Sequence, residues 1–312
     1  MTISVHAESA GPEGGRADGA DRLRGCGTAL VTPFTASGAV DEHALGELVE
    51  WQIASGIHFL VPCGSTGEAV TMSLEEQARV VRIVSERVDG RMPVVAGAGS
   101  NDTRRAIEQS RMMAEAGATH LLHVSPMYNK PPQRGLIEHF RAVATATDLP
   151  VILYNVPGRT AGNIEARTAL ELASVPNVIG IKEASGNMSQ VMEIIRERPP
   201  HFSVLSGDDS LTLPIMAAGG DGVISVTSNA TPAPMAELVE HLLDGNIAAA
   251  REVHERLLPW MSAAFVESNP IPVKAALSML GRMENVLRSP LVPLDPRHEE
   301  LVRSSIRAAG AL

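Results

Sequence analysis

Only three of the 312 residues are lysines, Lys130, Lys182 and Lys274, and only two are tyrosines, Tyr128 and Tyr154. Amine and phenol chemistry therefore has few places to sit. Lys182 stands near the end of the apolar run VIGIKE at 178–183. An ammonium ending an apolar strand is costly to desolvate. A desolvated lysine amine is a nucleophile for carbonyl carbon, the first step towards a Schiff base. The alternative is a strand-end lysine paired with the carboxylate of Glu183. Lys130 lies in the polar loop NKPP, and Lys274 follows IPV near the start of an amphipathic helix; both are weaker candidates. Tyr154 ends the run VILY, and Tyr128 follows the apolar run at 120–125. Each could be a packing tyrosine with its hydroxyl satisfied. Taken jointly, both fall at C-terminal ends of apolar runs just before Lys182, and a phenol held by hydrogen bonds can relay the protons that a carbinolamine gains and loses.

Four other segments could bind or position a substrate. GSTGE at 64–68 offers backbone N–H groups and the hydroxyls of Ser65 and Thr66 as a nest for a carboxylate or phosphate. It is not a P-loop, since no Gly-Lys-Ser/Thr follows, and an ordinary strand-to-helix turn is the alternative. Arg159 in NVPGRT could grip a carboxylate bidentately or form a loop salt bridge. In SGDD at 206–209, Asp208 or Asp209 suits a helix N-cap better than catalysis. GAGSN at 97–101 is only a fragment of a dinucleotide fingerprint. The ten histidines are scattered, with no HExxH, and the two cysteines lack ligand spacing, so neither metal nor cofactor is expected. His120 and His123, three apart on one run, point to opposite faces and read as structural or surface residues.

The elements that must position these groups repeat along the chain. Eight β-rich runs stand at 28–32, 58–62, 93–96, 120–125, 151–155, 178–183, 203–206 and 222–226. Between them lie stretches with apolar residues at i, i+3, i+4 and i+7, as at 41–54, 74–88 and 103–116. Near-continuous apolar strands are buried on both faces, as in a parallel sheet. Strict alternation means an α/β fold, and eight units predict a closed (β/α)8 TIM barrel. A doubly wound sheet would show a glycine-rich first turn, where this chain has TPF. Further helices near 246–265, 271–280 and 298–309 predict a C-terminal helical subdomain packed on the barrel. The division is then a disordered leader at 1–24, the barrel at 25–245 and the helical part at 246–312. On a barrel, functional groups belong at the C-terminal ends of the strands.

Composition bounds the rest. Hydrophobic residues make up 44% and charged residues 20%, enough for a sizeable core. A net charge of −10 disfavours nonspecific nucleic-acid or anionic-membrane binding. No run approaches a membrane span of ~20 apolar residues. The N-terminus lacks the basic start and apolar stretch of a secretory signal. Cys26 and Cys63 cannot build a disulfide framework, which fits a reducing cytoplasm.

The motifs TALVTPF, GSTGE, SPMYNKP, LYNVPGRT, GIKEASGN, LSGDD, GVISVTSN and ESNPIPVK stand in that order. From Gly27 onward the sequence resembles the dihydrodipicolinate synthase family of pyruvate-dependent class I aldolases, in the N-acetylneuraminate lyase superfamily. The resemblance implies a barrel with a C-terminal helical domain, assembled as a homotetramer, a dimer of dimers. It implies that Lys182 is the Schiff-base lysine, and that Ser65, Tyr154 and Tyr128 form a proton relay. Tyr128 would reach into a neighbouring subunit's site. Thr66 would bind pyruvate's carboxylate and Arg159 the carboxylate of L-aspartate 4-semialdehyde, with Gly207 and Ile224 lining the site through their backbone. The implied product lies on the route to diaminopimelate and lysine.

The sequence also departs from the family pattern. Ser65 stands where threonine is common, which keeps the hydroxyl. Met127 replaces a tyrosine that packs across the tight dimer interface and helps form the site for inhibitory lysine. Arg105 replaces an acidic residue of that site and Leu74 a histidine, while Asn101 is kept. Arg105 would repel the inhibitor's ammonium, so weak or absent lysine inhibition is expected. Two alternatives remain open. One is a related lyase cleaving N-acetylneuraminate or a 2-keto-3-deoxy sugar acid, which Arg159 disfavours because a polyol needs no cation there. The other is a catalytically silent barrel with a structural or regulatory role, against which the intact Lys182, Tyr128, Tyr154 and Ser65 speak.

Overall fold

The computed structural model describes residues 22–311. Most of the expected leader, 1–24, lies outside the described residues. Of its last three, Leu23 packs among the inward-facing side chains of the sheet, and Arg22 pairs with Asp221 at 3.2 Å.

Eight strands and the helices between them alternate along the chain. The strands are β1 (Gly25–Ala29), β2 (Phe59–Val61), β3 (Val95–Gly97), β4 (His120–Val124), β5 (Val151–Asn155), β6 (Val178–Glu183), β7 (Ser203–Ser206) and β8 (Gly222–Ser225). Every neighbouring pair is parallel, in the order β2-β1-β8-β7-β6-β5-β4-β3. The two ends meet where the Leu60 N–H donates to the Pro93 carbonyl (3.1 Å) and the Gly97 N–H to the Pro62 carbonyl (2.9 Å). The predicted (β/α)8 TIM barrel is therefore the observed fold. β1 begins three residues before its predicted start, because 25–27 (GCG) pairs with β8. Glycine weakens a strand signal in sequence, yet a Cβ at Gly27 would come within 2.0 Å of the Phe59 ring, so the close approach of β1 to β2 demands it.

The helices form where polar caps meet apolar periodicity. α1 (Glu42–Ala54) starts at Asp41, which accepts from the Ala44 N–H. α2 (Leu74–Val88) opens with a capping box between Ser73 and Glu76. Asp102 caps α3 (Thr103–Glu115). There follow α4 (Gln133–Ala144), the one-turn α5 (Pro157–Thr160), α6 (Ala166–Leu172), α7 (Met188–Glu197), α8 (Thr212–Ala217) and α9 (Pro232–Leu243). The C-terminal part is α10 (Ile247–Ala263), α11 (Ile271–Met279) and α12 (Glu299–Ala308). Its apolar side chains share one core with α1, α2 and α9, and the fully buried Trp260 donates Nε1–H to the Thr227 carbonyl at 3.2 Å. No helix among the described residues is long and apolar enough to cross a membrane.

His120 and His123 do point to opposite faces of β4. His123 is buried against α3, where Nε2 meets Ser110 Oγ at 3.2 Å and Nδ1 has no partner among the described residues. Burial, with a smaller push from His139, draws its pKa down to about 3. Between pH ~6.5 and ~3 the unfolded chain then binds the proton that the folded chain refuses, so this group's stability is complete above pH ~6.5 and is lost on acidification. In thermal melts, His123→Leu is expected to flatten the loss of Tm between pH 7 and pH 4. An unchanged acid slope would refute that assignment.

Candidate active site

The site grows from the period of two along β5 and β6. Tyr154 and Lys182 are register partners, so their side chains share the inner face of the barrel. Lys182 is 5% exposed, and its Nζ stands 4.3 Å from the centroid of the Tyr154 ring. Glu183 points the other way. Its carboxylate accepts from Asn155 Nδ2 (3.1 and 3.2 Å), Gln190 Nε2 (3.0 Å) and the Ser185 N–H (2.7 Å). The Lys182–Glu183 ion pair considered from sequence is therefore not formed, because adjacent strand residues face opposite sides.

Gly207, just past β7, lies against the lysine stem. A Cβ there would come within 3.1 Å of both Cγ and Cε of Lys182 and 2.7 Å of the Ala184 Cβ. Ile224 on β8 is buried in the same inner cluster as Tyr154 and Leu205. Lys182, Tyr154, Gly207 and Ile224 thus meet around one barrel interior.

Ser65 and Thr66 lie on the loop after β2. Ser65 is exposed, whereas Thr66 is 2% exposed and its Oγ1 accepts from Asn269 Nδ2 at 2.8 Å. The exposed Arg159, on α5, donates from Nη2 to the carbonyl of the same Asn269 at 3.4 Å, a backbone contact in place of the considered salt bridge. Tyr128 is 90% exposed on the loop after β4, and in the single chain it is not brought against Lys182 by any recorded contact. That loop is stiffly held: Asn101 Nδ2 donates to the Met127 carbonyl (3.2 Å) and Asn129 Nδ2 to the Asn101 carbonyl (2.8 Å).

Among the described residues, five of the six non-glycine residues with left-handed backbone, Cys63, Glu68, Tyr128, Lys130 and Ala161, fall on the loops after β2, β4 and β5. Such conformations cost of order 1–3 kcal/mol each and persist where surrounding structure imposes them. The imposing contacts can be named for Glu68. Its fully buried carboxylate pairs with the fully buried Lys274 on α11 and accepts from the Arg288 N–H at 3.0 Å. Lys274 Nζ also donates to the Val286 carbonyl (2.8 Å) and lies 4.2 Å from the centroid of the Phe34 ring. Burial draws the Lys274 pKa down to about 8, against the pull of Glu68.

The sequence pattern predicts Lys274 near the start of an amphipathic helix. Its helix, IPVKAALSM, offers only Ser278 as a further polar side chain, and this nearly apolar context is the available signal. Asn269 and Glu68 stand within the motifs ESNPIPVK and GSTGE, which by themselves assign them no role. Asp208 caps the turn at Asp209–Leu211 through the Ser210 N–H (2.9 Å). Asp209 does something else. It is buried and ties the β7 loop to the β8 loop, accepting from Ser225 Oγ, Thr227 Oγ1 (2.8 Å) and the Val226 N–H (3.0 Å). Cys63 is a buried thiol, pushed up to about 12 by desolvation, which leaves it inert.

Comparison with known proteins follows the same outline. Residues 22–309 match the model of the dihydrodipicolinate synthetase family. A 4-hydroxy-tetrahydrodipicolinate synthase of Koribacter versatilis is 51% identical over 292 residues, covering 93% of this chain and 97% of its own. The pyruvate-complexed, chloride-inhibited dihydrodipicolinate synthase of Acinetobacter baumannii superposes with a TM-score of 0.91 at 40% identity, covering 93% of this chain and 99% of its own. A monomeric dihydrodipicolinate synthase variant gives a TM-score of 0.91 at 42% identity, with 93% and 98% covered.

Removing one partner of a buried ion pair leaves the other charge uncompensated. Lys274→Met is expected to cost about 3–5 kcal/mol in denaturant unfolding, while the double variant Lys274→Met/Glu68→Gln recovers most of that loss. A single variant as stable as the wild type would show that the pair does not hold the loop.

Proposed function

The chain belongs to the dihydrodipicolinate synthetase family, lyases of the class I aldolase type, and we propose that it condenses pyruvate with L-aspartate 4-semialdehyde. In this reading the Lys182 amine attacks C2 of pyruvate, and loss of water gives the Schiff base. Loss of a C3 proton gives an enamine, which attacks the aldehyde carbon. The amine of the second substrate then attacks the imine carbon, closes the ring and frees Lys182. The product is 4-hydroxy-tetrahydrodipicolinate, and the chain serves diaminopimelate and lysine biosynthesis in the cytoplasm.

The observation that carries the reading is the placement of Lys182, a buried amine beside the Tyr154 phenol with its neighbouring carboxylate turned away. Tyr154, Ser65 and Tyr128 are assigned the proton relay. Thr66 receives pyruvate's carboxylate, Arg159 that of the semialdehyde, and the backbone at Gly207 and Ile224 lines the pocket. An exposed tyrosine on a fixed loop suits delivery into a second copy, so the working unit is a dimer within a dimer-of-dimers tetramer. Arg105 on the first turn of α3 presents a cation where an inhibitory lysine's ammonium would approach, so lysine inhibition is weak or absent.

The decisive experiment is intact-mass spectrometry after borohydride trapping with pyruvate, with and without L-aspartate 4-semialdehyde. The expected result is a pyruvate adduct on Lys182 that disappears when the semialdehyde turns it over and is absent from Lys182→Ala. An adduct indifferent to the semialdehyde would favour a sugar-acid lyase instead. Two further outcomes are expected. Mixing Tyr128→Phe with Lys182→Ala subunits should restore up to about a quarter of wild-type activity, because half of statistically paired dimers are mixed and each carries one complete site. No recovery would remove Tyr128 from the neighbour's site. In a lysine titration, half-inhibition well below about 1 mM would refute the assignment of Arg105.

A further inference from the structure

We infer that Asn269 is a positioning residue for the carboxylate subsite: its amide engages the Thr66 hydroxyl as an acceptor, which leaves the hydroxyl proton for the carboxylate of a bound 2-oxo acid. The inference rests on the proposed use of Thr66 and adds a residue that the motifs leave without a role.

A threonine hydroxyl has one proton and two acceptor lone pairs. Here Asn269 Nδ2 donates to Thr66 Oγ1 at 2.8 Å, so the contact consumes a lone pair and spares the proton. Thr66 is 2% exposed, and its one recorded side-chain hydrogen bond is this one. Its proton is thus uncommitted in a place where water cannot freely take it, and a hydrogen bond to an ionised acceptor is the strong kind. Asn269 is 6% exposed, and its Oδ1 is buried without a donor among the described residues. Its amide therefore belongs to no wider network that would explain it as packing, and Thr66 is its one recorded side-chain partner. The backbone carbonyl of the same residue receives Arg159 at 3.4 Å. One residue thus touches both groups assigned to the substrates' carboxylates.

The distance along the chain makes this a tertiary device. Asn269 lies 203 residues from Thr66, and Lys274, on the helix that follows, lies 206 residues from Glu68. The loop at 64–68 is consequently gripped from the C-terminal part at two points. Lys274 and Arg288 fix its end, and Asn269 fixes the hydroxyl.

The test measures how adduct formation on Lys182 depends on pyruvate concentration, by borohydride trapping, which needs no second substrate. Asn269→Asp keeps the shape but can only accept, so it would capture the Thr66 proton and place a negative charge beside the subsite. Its half-saturating pyruvate concentration is expected to rise about tenfold to a hundredfold, the size of one hydrogen bond to a charged group. Asn269→Ala should give a smaller rise. In a Thr66→Val background, Asn269→Ala should have no further effect, because the amide acts through that hydroxyl. The maximal extent of trapping should stay within about twofold, with Tm followed alongside. A structural role would instead lower Tm and the trapped fraction while leaving the half-saturation unchanged. A half-saturation in Asn269→Asp within twofold of the wild type, or additive effects in the double variant, overturns the inference. Absence of any adduct in the wild type overturns the functional reading and the inference with it, whereas a normal wild-type adduct with unaltered variants overturns the inference alone.

Discussion

A parallel strand shows successive side chains to opposite faces, and on β6 that constraint decides where two neighbouring ionisable groups go. Lys182 faces the barrel interior and Glu183 the helical layer. Had the two paired, the amine would be held as an ammonium by a buried carboxylate, the arrangement least suited to attack on carbonyl carbon. Instead Glu183 is satisfied by Asn155, Gln190 and the Ser185 N–H. The same alternation acts on β5, where Tyr154 turns inward beside Lys182 and Asn155 outward beside Glu183. One register therefore sets an amine against a phenol on the inside and a carboxylate against amides on the outside. A slip by one residue would exchange the two sets.

The barrel alone does not finish the site. The loops after β2, β4 and β5 carry most of the strained non-glycine backbone, and strain of that kind must be held by contacts elsewhere. For the β2 loop the contacts come from the C-terminal part, through Lys274 on Glu68 and Asn269 on Thr66. A buried ion pair is weak evidence of net stability, since desolvation offsets much of the attraction. Its value here is conformational: Glu68 finds its two recorded buried partners, the Lys274 ammonium and the Arg288 N–H, only when the loop is in place. The C-terminal helices are on this account part of the site's wall as well as its support.

Much of this was legible in sequence because it is local. Strand and helix periods, the caps at Asp41, Ser73 and Asp102, and the scarcity of lysine and tyrosine give the barrel and point to Lys182 and Tyr154. What stayed hidden depends on contacts between distant segments. The start of β1 is written in glycines, which carry no strand preference, and becomes a strand because β8 pairs with it. Lys274 stands in an almost wholly apolar helix, which hints at burial, but only its partner about two hundred residues away explains how the charge is accommodated. Asp209 resembles its neighbour Asp208 in sequence, yet one caps a turn locally and the other joins two loops. The motif resemblance brought ESNPIPVK into view without saying what each of its residues does.

A net charge of −10 looks at odds with the proposed anionic substrates until the charges are placed. Net charge acts as a diffuse field, screened within about 8 Å at physiological ionic strength. Recognition is decided closer in, by what lies free at the strand ends. There the acidic groups are committed to the protein itself: Glu68 to Lys274 and the Arg288 N–H, Glu183 to Asn155, Gln190 and the Ser185 N–H, Asp209 to Ser225 and Thr227, and Asp208 to the Ser210 N–H. Lys182 and Arg159 have no such commitment, one meeting an aromatic ring and the other a backbone carbonyl. Neutral donors do not cancel these charges, but they occupy the carboxylates, so the donors left uncommitted at the mouth are those of Lys182 and Arg159. The hydrogen bonding of those acids thus does more than avoid unpaired buried charge, because it also keeps them from engaging the donors that the proposed substrates would need.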